Sequence, residues 1–248
     1  MEHKTQRYVH IFWVAVLWII FTAAAEAALL VVDLLPTPAT VEGEKIDDAF
    51  RHLTVVAAPV FSFVLAVLLY SLVRFRSRGA PQDDGPPLQA RPAIVGVWLA
   101  VTAGLAVYVM VNPGLSALAE LRAHAHDADL VVQVEGMRWR WKVAYPGYNV
   151  TSTSELVLPV NRRIRVEVTA TDVVHSFSVP AFRMKIDAVP GLVTTVYVTP
   201  NRTGSVQDDP GLRIVCAELC GAPHAMMNLP VRVVEPVQFE AWLASARQ

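Results

Sequence analysis

The sequence predicts a membrane-anchored α + β protein, in which N-terminal transmembrane helices are followed by a small β-domain. Apolar residues make up 54% of the 248 residues and charged residues only 17%, whereas a soluble domain carries about a quarter charged residues. Three long apolar stretches fill the first part of the chain, and short alternating runs fill the remainder. The formal net charge of −1 provides no basic face, so nucleic acid is not an expected partner.

The three apolar stretches cover residues 8 to 35, 53 to 73 and 93 to 111. Each is close to the roughly 20 residues that cross the hydrocarbon core as a helix. None alternates with the two-residue period of a strand, so a helix is predicted for each. The predicted boundaries are 1–36 for an extra N-terminal transmembrane helix and 50–113 for a transmembrane hairpin, with membrane lipid as a partner.

The first stretch has a second interpretation. A basic start, an apolar run and the small-residue patch at residues 23 to 28 also describe a secretory signal peptide. The apolar run continues past Ala28 to Leu35, which favours a retained helix. Both interpretations leave the C-terminal part of the chain on the same side of the membrane.

Flanking charges predict the orientation of the helices. The second and third stretches are separated by Arg74, Arg76 and Arg78 and by a Pro/Gly-rich loop, residues 79 to 87. The first and second are separated by a mostly acidic segment, residues 42 to 48. The positive-inside rule puts the arginine-rich loop in the cytoplasm and everything after residue 113 outside.

Short β-branched runs with a two-residue period begin at about residue 129. They are separated by Pro, Gly, Asn and Asp, as strands are, and they cover residues 130–134, 163–168, 193–198 and 229–234. Several such strands predict a small sandwich or barrel, with boundaries 129–236. Residues 237–248 are predicted to form a short C-terminal helix.

A cluster of potential metal ligands lies within twelve residues near the C-terminus: Cys216, Glu218, Cys220, His224 and Met227. Thiolate, imidazole and thioether together are the soft ligands that select copper. A single blue-copper site uses one Cys, two His and a weak axial Met, so this segment has one Cys too many and one His too few. Two copper ions that share both sulfurs would account for the second cysteine, and each would then need its own imidazole.

His175 is the only other histidine within the predicted β-region, so it is the expected second imidazole beside His224. Two alternatives stay open on the residues alone. The cysteine pair could form a disulfide outside the cytoplasm. A zinc site of two cysteines and two histidines is also conceivable, but it would leave Met227 without a role.

Four motifs resemble, in the same order, those of subunit II of cytochrome c oxidases. They are Gly136-Met-Arg-Trp139-Arg-Trp141, Val174-His175-Ser176-Phe177-x-Val179-Pro180, Met184-Lys185-x-Asp187-Ala188-x-Pro190-Gly191 and Cys216-x-Glu218-x-Cys220-Gly221-x-x-His224-x-x-Met227. The chain is similar to this family over nearly its whole length after residue 50.

The resemblance implies a cupredoxin Greek-key β-barrel after the helices and a dinuclear copper centre, called CuA. Cys216 and Cys220 would bridge the two coppers, and His175 and His224 would each terminate one. The implied weak ligands are Met227 and the backbone carbonyl of Glu218. The Glu218 side chain would help to hold magnesium at the contact with the catalytic subunit, and Trp139 would receive the electron.

The implied function is that of an oxidoreductase subunit in which this chain is the electron relay. Electrons would pass from cytochrome c, or a c-type cytochrome domain, to the haems of catalytic subunit I, which reduces O2 to water in a complex with other oxidase subunits. The implied location is the cytoplasmic membrane of a bacterium or archaeon, with the copper domain on the outer face.

Two departures from the family pattern keep a second function open. Val95 and Leu192 stand where many oxidase subunits carry a glutamate and an arginine. A copper subunit of a haem-copper nitric oxide reductase is therefore the alternative. A structural subunit without copper, like that of quinol oxidases, is disfavoured because every copper ligand is present.

Overall fold

The computed structural model describes residues 2–32, 35–76, 79, 91–123 and 127–247, with only the backbone described for residues 2–7 and 123. Arg78, the Pro/Gly-rich loop beyond Gly79, and residues 124–126 lie outside the described residues. The chain divides into two compact units. One comprises Met1–Leu35 and Ala49–Ala117, and the other comprises Pro36–Asp48 and Leu118–Gln248.

The first unit is helical. Its long helices are α1 (Glu2–Val31), most of α2 (Val41–Arg74) and α3 (Pro92–Val109). An irregular turn at Met110–Leu115 follows α3 and leads into the short helix α4 (Ser116–Ala123). Among the described residues, three segments are long and apolar enough to cross a membrane: Tyr8–Val31, Val41–Arg74 and Pro92–Arg122. Their large apolar side chains are widely exposed, as expected of surfaces that face lipid.

Helix α2 begins well before the apolar stretch that predicted it. Its first turn contains Glu42 and Glu44, where negative charge is favourable beside the unpaired N–H groups of a helix N-terminus. The acidic segment that suggested an outer loop is therefore largely the beginning of this helix.

The second unit is a sandwich of two five-stranded sheets. The strands are β1 (Leu130–Met137), β2 (Arg140–Tyr145), β3 (Val150–Ser152), β4 (Leu156–Pro159), β5 (Ile164–Ala170), β6 (His175–Val179), β7 (Met184–Ala188), β8 (Thr194–Val198), β9 (Arg213–Cys216) and β10 (Asn228–Val234). One sheet has the order β3-β2-β1-β5-β8 and the other β4-β10-β9-β6-β7. The predicted fold class, helices followed by a β-domain, is confirmed.

The core lies between the two sheets because alternate residues of the strands point inward. β1 and β5 alternate regularly between buried and more exposed residues, which is the two-residue period seen in the sequence. Trp141, Tyr145 and Phe177 are fully buried. Helix α5 (Pro236–Ala246) adds the fully buried Phe239 to this core.

The two tryptophans of the Trp-rich motif do not share a face. Strand alternation through residues 139–141 predicts that Trp139 and Trp141 point to the same side of a strand, and this prediction is wrong. Trp139 lies in the turn between β1 and β2 and is 39% exposed, whereas Trp141 is 1% exposed in the core. The turn thus separates a surface indole from a core indole.

Residues 36–48 pack on the β-sandwich, and we call this segment the strap. Residues 36–40 precede α2, and residues 41–48 are its first turns. Its backbone joins the sandwich where the Ala39 amide donates to the Ala181 carbonyl at 2.8 Å and the Val41 amide donates to the Thr199 carbonyl at 3.0 Å. Ala39 and Thr40 are fully buried. The strap is therefore part of the β-unit, although more than 80 residues of sequence separate it from β1.

Carboxylates of the strap fix it to the sandwich. Asp47 accepts two hydrogen bonds from the Arg183 guanidinium, at 2.7 and 2.9 Å. Glu42 accepts from the amide and the hydroxyl of Thr199, at 2.8 and 3.0 Å. Bidentate and charge-assisted bonds of this kind are stronger than neutral ones, so the strap is held near its middle and near its C-terminal end.

Candidate metal centre

The candidate ligands are brought together at one end of the sheet that contains β6 and β9. His175 begins β6, Cys216 ends β9, and these antiparallel strands pair Phe177 with Cys216. The ligand loop then returns to β10, and the Cys216 amide donates to the Met227 carbonyl at 3.1 Å. This bond closes the loop, so that residues eleven positions apart in sequence become neighbours.

The two cysteine sulfurs lie 3.8 Å apart and both cysteines are free thiols. His175 Nδ1 lies 3.8 Å from Cys216 Sγ, and His224 Nδ1 lies 3.5 Å from Cys220 Sγ. Each sulfur therefore has its own imidazole.

Two weaker potential ligands complete the set. Met227 Sδ lies 3.9 Å from Cys220 Sγ, and the carbonyl oxygen of Glu218 lies 3.2 Å from Cys216 Sγ. The Glu218 side chain is exposed. Of the six residues predicted as metal ligands, the structure therefore brings every one to the same centre.

The centre is largely dry. His175 is 0% exposed, and Cys216, Cys220 and Met227 are buried. Burial, together with the neighbouring Cys216 thiol, raises the pKa of Cys220 to about 11, since a thiolate without a cation is costly in such surroundings. A metal ion that binds here has to displace thiol protons, which makes binding depend on pH.

The carboxylate of Asp172 contacts the far side of the His175 ring. Asp172 Oδ1 lies 2.9 Å from His175 Nε2 and accepts from the Val173 amide at 2.7 Å. Oδ2 accepts from both the amide and Nε of Arg138, at 2.9 and 3.1 Å. Although partial burial would raise the pKa of Asp172, these hydrogen bonds outweigh it and hold the pKa below its usual range.

Trp139 is joined to the centre by one hydrogen bond. Its Nε1–H donates to the carbonyl of Cys220 at 3.2 Å, so an indole on the surface is bonded to the backbone of a candidate ligand. Gly221 leaves room for this contact, because a Cβ there would lie 3.2 Å from Trp139 Cζ2. Gly221 also has φ +122°, a conformation that residues with side chains rarely adopt.

Gly136 makes room on the inner side of the centre. A Cβ at this position would lie 3.0 Å from Trp141 Cζ3 and 3.2 Å from His175 Cδ2. The Trp141 and His175 rings themselves meet edge to face, with centroids 6.1 Å apart. His175 is therefore held between a core indole and the Asp172 carboxylate.

Sequence reasoning missed Asp172 and the spacing roles of Gly136 and Gly221. A signal for Asp172 was present, because a carboxylate three residues before a candidate ligand histidine can reach its second ring nitrogen. The two glycines belong to the quoted motifs, but their neighbours are brought by other strands and loops. Only the fold shows that their missing side chains matter.

The donor set can be tested against the metal that it suggests. Sulfurs 3.8 Å apart are close enough to share one metal ion, since a zinc–thiolate bond, for comparison, is about 2.3 Å long. The ligand atoms of His175, Cys216 and Cys220 all lie within 4.8 Å of one another. Thiolate, imidazole and thioether in a buried site are suited to copper, so the residues fit a copper centre.

Comparison with known proteins finds relatives that are subunit II of cytochrome c oxidases. The sequence model of the cytochrome c oxidase subunit II periplasmic domain matches residues 148–234. Cytochrome c oxidase subunit 2 of Synechocystis sp. is 28% identical, over 86% of this chain and 75% of that protein. The crystal structure of the periplasmic domain of subunit II (CoxB) from Bradyrhizobium japonicum is 36% identical, covering 50% of this chain and 96% of that one, with a TM-score of 0.46.

A second solved structure shows a mixed disulfide between a thioredoxin-like protein and subunit II of cytochrome c oxidase. Its subunit II is 35% identical to this chain, covering 51% of this chain and 96% of that one, with a TM-score of 0.45.

The fold and the site define a membrane-anchored β-domain with a buried sulfur and imidazole centre, a class suited to copper. The chain belongs to the cytochrome c oxidase subunit II family. It is thus subunit II of a haem-copper oxidase, and the resemblance found in the four sequence motifs is confirmed.

Proposed function

We propose that this chain binds a dinuclear copper centre and relays electrons from a c-type cytochrome to the haems of catalytic subunit I, where O2 is reduced to water. The observation that carries the proposal is the arrangement of donors around two sulfurs 3.8 Å apart. Each sulfur has its own histidine, at 3.8 Å and 3.5 Å.

Six residues would hold the copper pair. The thiolates of Cys216 and Cys220 would serve both ions, His175 and His224 would each serve one, and Met227 Sδ and the Glu218 carbonyl would be weaker ligands. The bound copper pair would supply a one-electron carrier. The protein contributes rigid strand ends and a dry site, which keep the ligands in place when the charge of the centre changes.

Trp139 is the residue we propose to receive the electron. It is the exposed aromatic of the β1–β2 turn and is bonded to the Cys220 carbonyl at 3.2 Å. Trp139→Phe removes the N–H donor, so oxidation of a reduced c-type cytochrome should slow. Reduction of the same variant by a small chemical reductant serves as the control and should keep its rate.

We place the domain on the outer face of a bacterial or archaeal cytoplasmic membrane, because the charges flanking the three apolar helices orient the chain that way.

The exposed carboxylate of Glu218 is available to a magnesium ion at the contact with subunit I, since carboxylate oxygens are ligands that Mg²⁺ prefers.

The thiols must be reduced before they can bind metal. With sulfurs 3.8 Å apart, outside the cytoplasm, the pair is positioned to oxidise to a disulfide. The mixed disulfide known for a related subunit II supports a role for a thioredoxin-like reductant in keeping Cys216 and Cys220 ready for copper.

The proposal is tested on the full-length chain purified in detergent and loaded with copper. We expect visible absorption from thiolate–copper bonds and an EPR hyperfine pattern from one electron shared by two coppers. Cys216→Ser should abolish that pattern. A chain that binds only zinc, or that stays colourless with copper, contradicts the proposal.

Two adjacent methionines offer a matched pair of variants. Met227 is 1% exposed beside Cys220, and Met226 is 75% exposed. Met227→Leu should retain the copper pair but move its reduction potential, whereas Met226→Leu should leave the potential unchanged. Equal shifts in both variants would remove Met227 from the ligand set.

Val95 and Leu192 favour a second candidate, the copper subunit of a nitric oxide reductase. Both side chains are exposed and are apolar where many oxidase subunits are charged. The two functions differ in the gas that the purified complex consumes. Consumption of nitric oxide without consumption of O2 would select the reductase.

A further inference from the structure

Asp172 is not one of the proposed metal ligands, yet each oxygen of its carboxylate faces two hydrogen-bond donors. It lies in the loop between β5 and β6, three residues before His175. Oδ1 faces His175 Nε2 and the Val173 amide, and Oδ2 faces the amide and Nε of Arg138. Four donors from three residues converge on this one side chain.

The first consequence concerns the proton on His175. An ionised carboxylate only accepts hydrogen bonds, so the nitrogen that faces it, Nε2, must bear the hydrogen. In the neutral imidazole, Nδ1 then has the free lone pair, and Nδ1 is the atom that lies 3.8 Å from Cys216 Sγ. Because His175 is 0% exposed, no solvent contact competes with Asp172 for this ring.

The second consequence concerns the turn that presents Trp139. Arg138 directly precedes Trp139, and its backbone amide is bonded to Asp172 Oδ2 at 2.9 Å. On the other side of the turn, the Trp139 indole is bonded to the Cys220 carbonyl. The turn is therefore fixed to the centre at two points, and one of them is Asp172.

From this geometry we infer that Asp172 is a positioning residue for electron transfer. It sets the tautomer and orientation of the ligand His175, and it holds the turn that places the electron-accepting Trp139 against Cys220. The inference deepens the proposed function and rests on it.

If Asp172 served only to shape its loop, an asparagine could replace it. The amide side chain has the same size as the carboxylate and one acceptor oxygen, which is enough to terminate a loop. It cannot reproduce the present contacts, because its NH2 group would face either the pair of donors on Arg138 or the pair formed by His175 and Val173. Asp172→Asn therefore separates positioning from simple loop structure.

The experiment compares three copper-loaded, full-length proteins: wild type, Asp172→Asn and Glu240→Gln. Glu240 lies on α5, which packs against β3 and β4 and supplies no candidate ligand, so its variant is matched in charge. Copper affinity is measured by chelator competition, the reduction potential by titration, and electron uptake with a reduced c-type cytochrome.

For Asp172→Asn we expect a loss in copper affinity of about 10- to 100-fold, as for other partners of metal-bound histidines. The reduction potential should rise, because a negative charge that favours the oxidised centre is removed, and electron uptake should slow. Glu240→Gln should behave as wild type. An Asp172→Asn protein with wild-type affinity, potential and uptake overturns the inference.

A measurement on the wild type keeps the inference testable if the variant does not fold. In NMR spectra of the copper-loaded chain, the Nε2 proton of His175 should exchange slowly with solvent, because it is buried and bonded to Asp172. The corresponding proton of the partly exposed His224 should exchange faster. A fast-exchanging His175 proton excludes the proposed bond.

The proposed function and this inference fail in different ways. If wild type shows no shared-electron EPR pattern, the proposed copper pair is wrong, whatever the variants do. If wild type shows the pattern and Asp172→Asn matches it in every measurement, only the positioning role is wrong.

Discussion

The most direct test of how tightly the centre is packed is Gly136→Ala. A Cβ at position 136 would lie 3.0 Å from Trp141 Cζ3 and 3.2 Å from His175 Cδ2, both inside ordinary contact distance. Trp141 is confined by the core, and the His175 ring is bonded to Asp172 at 2.9 Å on its far side. Neither ring can retreat without the loss of a contact.

The magnitude follows from these contacts. Addition of one methyl group to a well-packed core costs about 1–3 kcal/mol, against a total stability of roughly 5–15 kcal/mol for a domain. At roughly 4 °C for each kcal/mol in a domain of this size, the melting temperature of the β-unit should fall by about 4–12 °C. The copper EPR pattern should change as well, because the displaced ring is a proposed ligand.

The assay is thermal unfolding of the full-length chain followed by near-UV circular dichroism, with EPR of the copper-loaded protein. Gly147→Ala is the matched control, since a Cβ there meets nothing within 4 Å, and it should retain wild-type values. If Gly136→Ala unfolds at the wild-type temperature with an unchanged EPR pattern, the reasoning about close packing around His175 is refuted.

Three further predictions concern the strap, the indole and the thiols. Asp47→Ala leaves the Arg183 guanidinium without its bidentate partner, so the free energy of unfolding should fall by about 1–3 kcal/mol in denaturant titrations. Gly221→Ala should slow electron uptake from a reduced c-type cytochrome in stopped-flow experiments, because the new methyl group displaces Trp139, and backbone strain should cost about 1–3 kcal/mol. The metal-free protein should lose stability, relative to Cys220→Ser, as pH rises from about 9 to about 11. The pKa of the Cys220 thiol is about 11 in the folded state, against 9.0 for an ordinary thiol. The folded state therefore binds this proton more tightly than the unfolded chain does. The resulting stabilisation is complete below pH 9 and is lost as the pH rises to about 11.

Each of these has a result that would contradict it. For the strap, wild-type stability of Asp47→Ala would mean that the Asp47–Arg183 pair contributes nothing. For the indole, unchanged electron uptake in Gly221→Ala would separate Trp139 from the electron path. For the thiols, parallel pH profiles of wild type and Cys220→Ser would show that the thiol proton is not held by the fold.

Much of the fold could be predicted because its signals are local. The β-branched run at residues 130–134 lies within β1, and the run at 229–234 lies within β10, since alternation along a strand reports directly on which residues face the core. The candidate site was found for a different reason. Cys216, Cys220 and His224 are close in sequence, and His175 was the one histidine left to complete the pattern.

The remaining features depend on contacts between distant segments, which a single sequence does not reveal. Residues 42–48 were interpreted as a solvated acidic loop, and charge alone could not indicate that Glu42 meets Thr199 or that Asp47 meets Arg183. Trp139 was misplaced for a related reason. The alternation rule holds along a strand but fails at a turn, and the turn at residues 138–139 contains no glycine or proline to mark it.

The strap also bears on the order in which the protein can fold. Its hydrogen bonds to the sandwich join residues that lie 121 to 165 positions apart, so the strap is synthesised long before the strands that receive it. Contacts of such long range form slowly, because a large loop must close before they can be made. We therefore expect the ten strands to assemble first and the strap to dock last, so that the β-unit reaches its final stability only once residues 36–48 have docked.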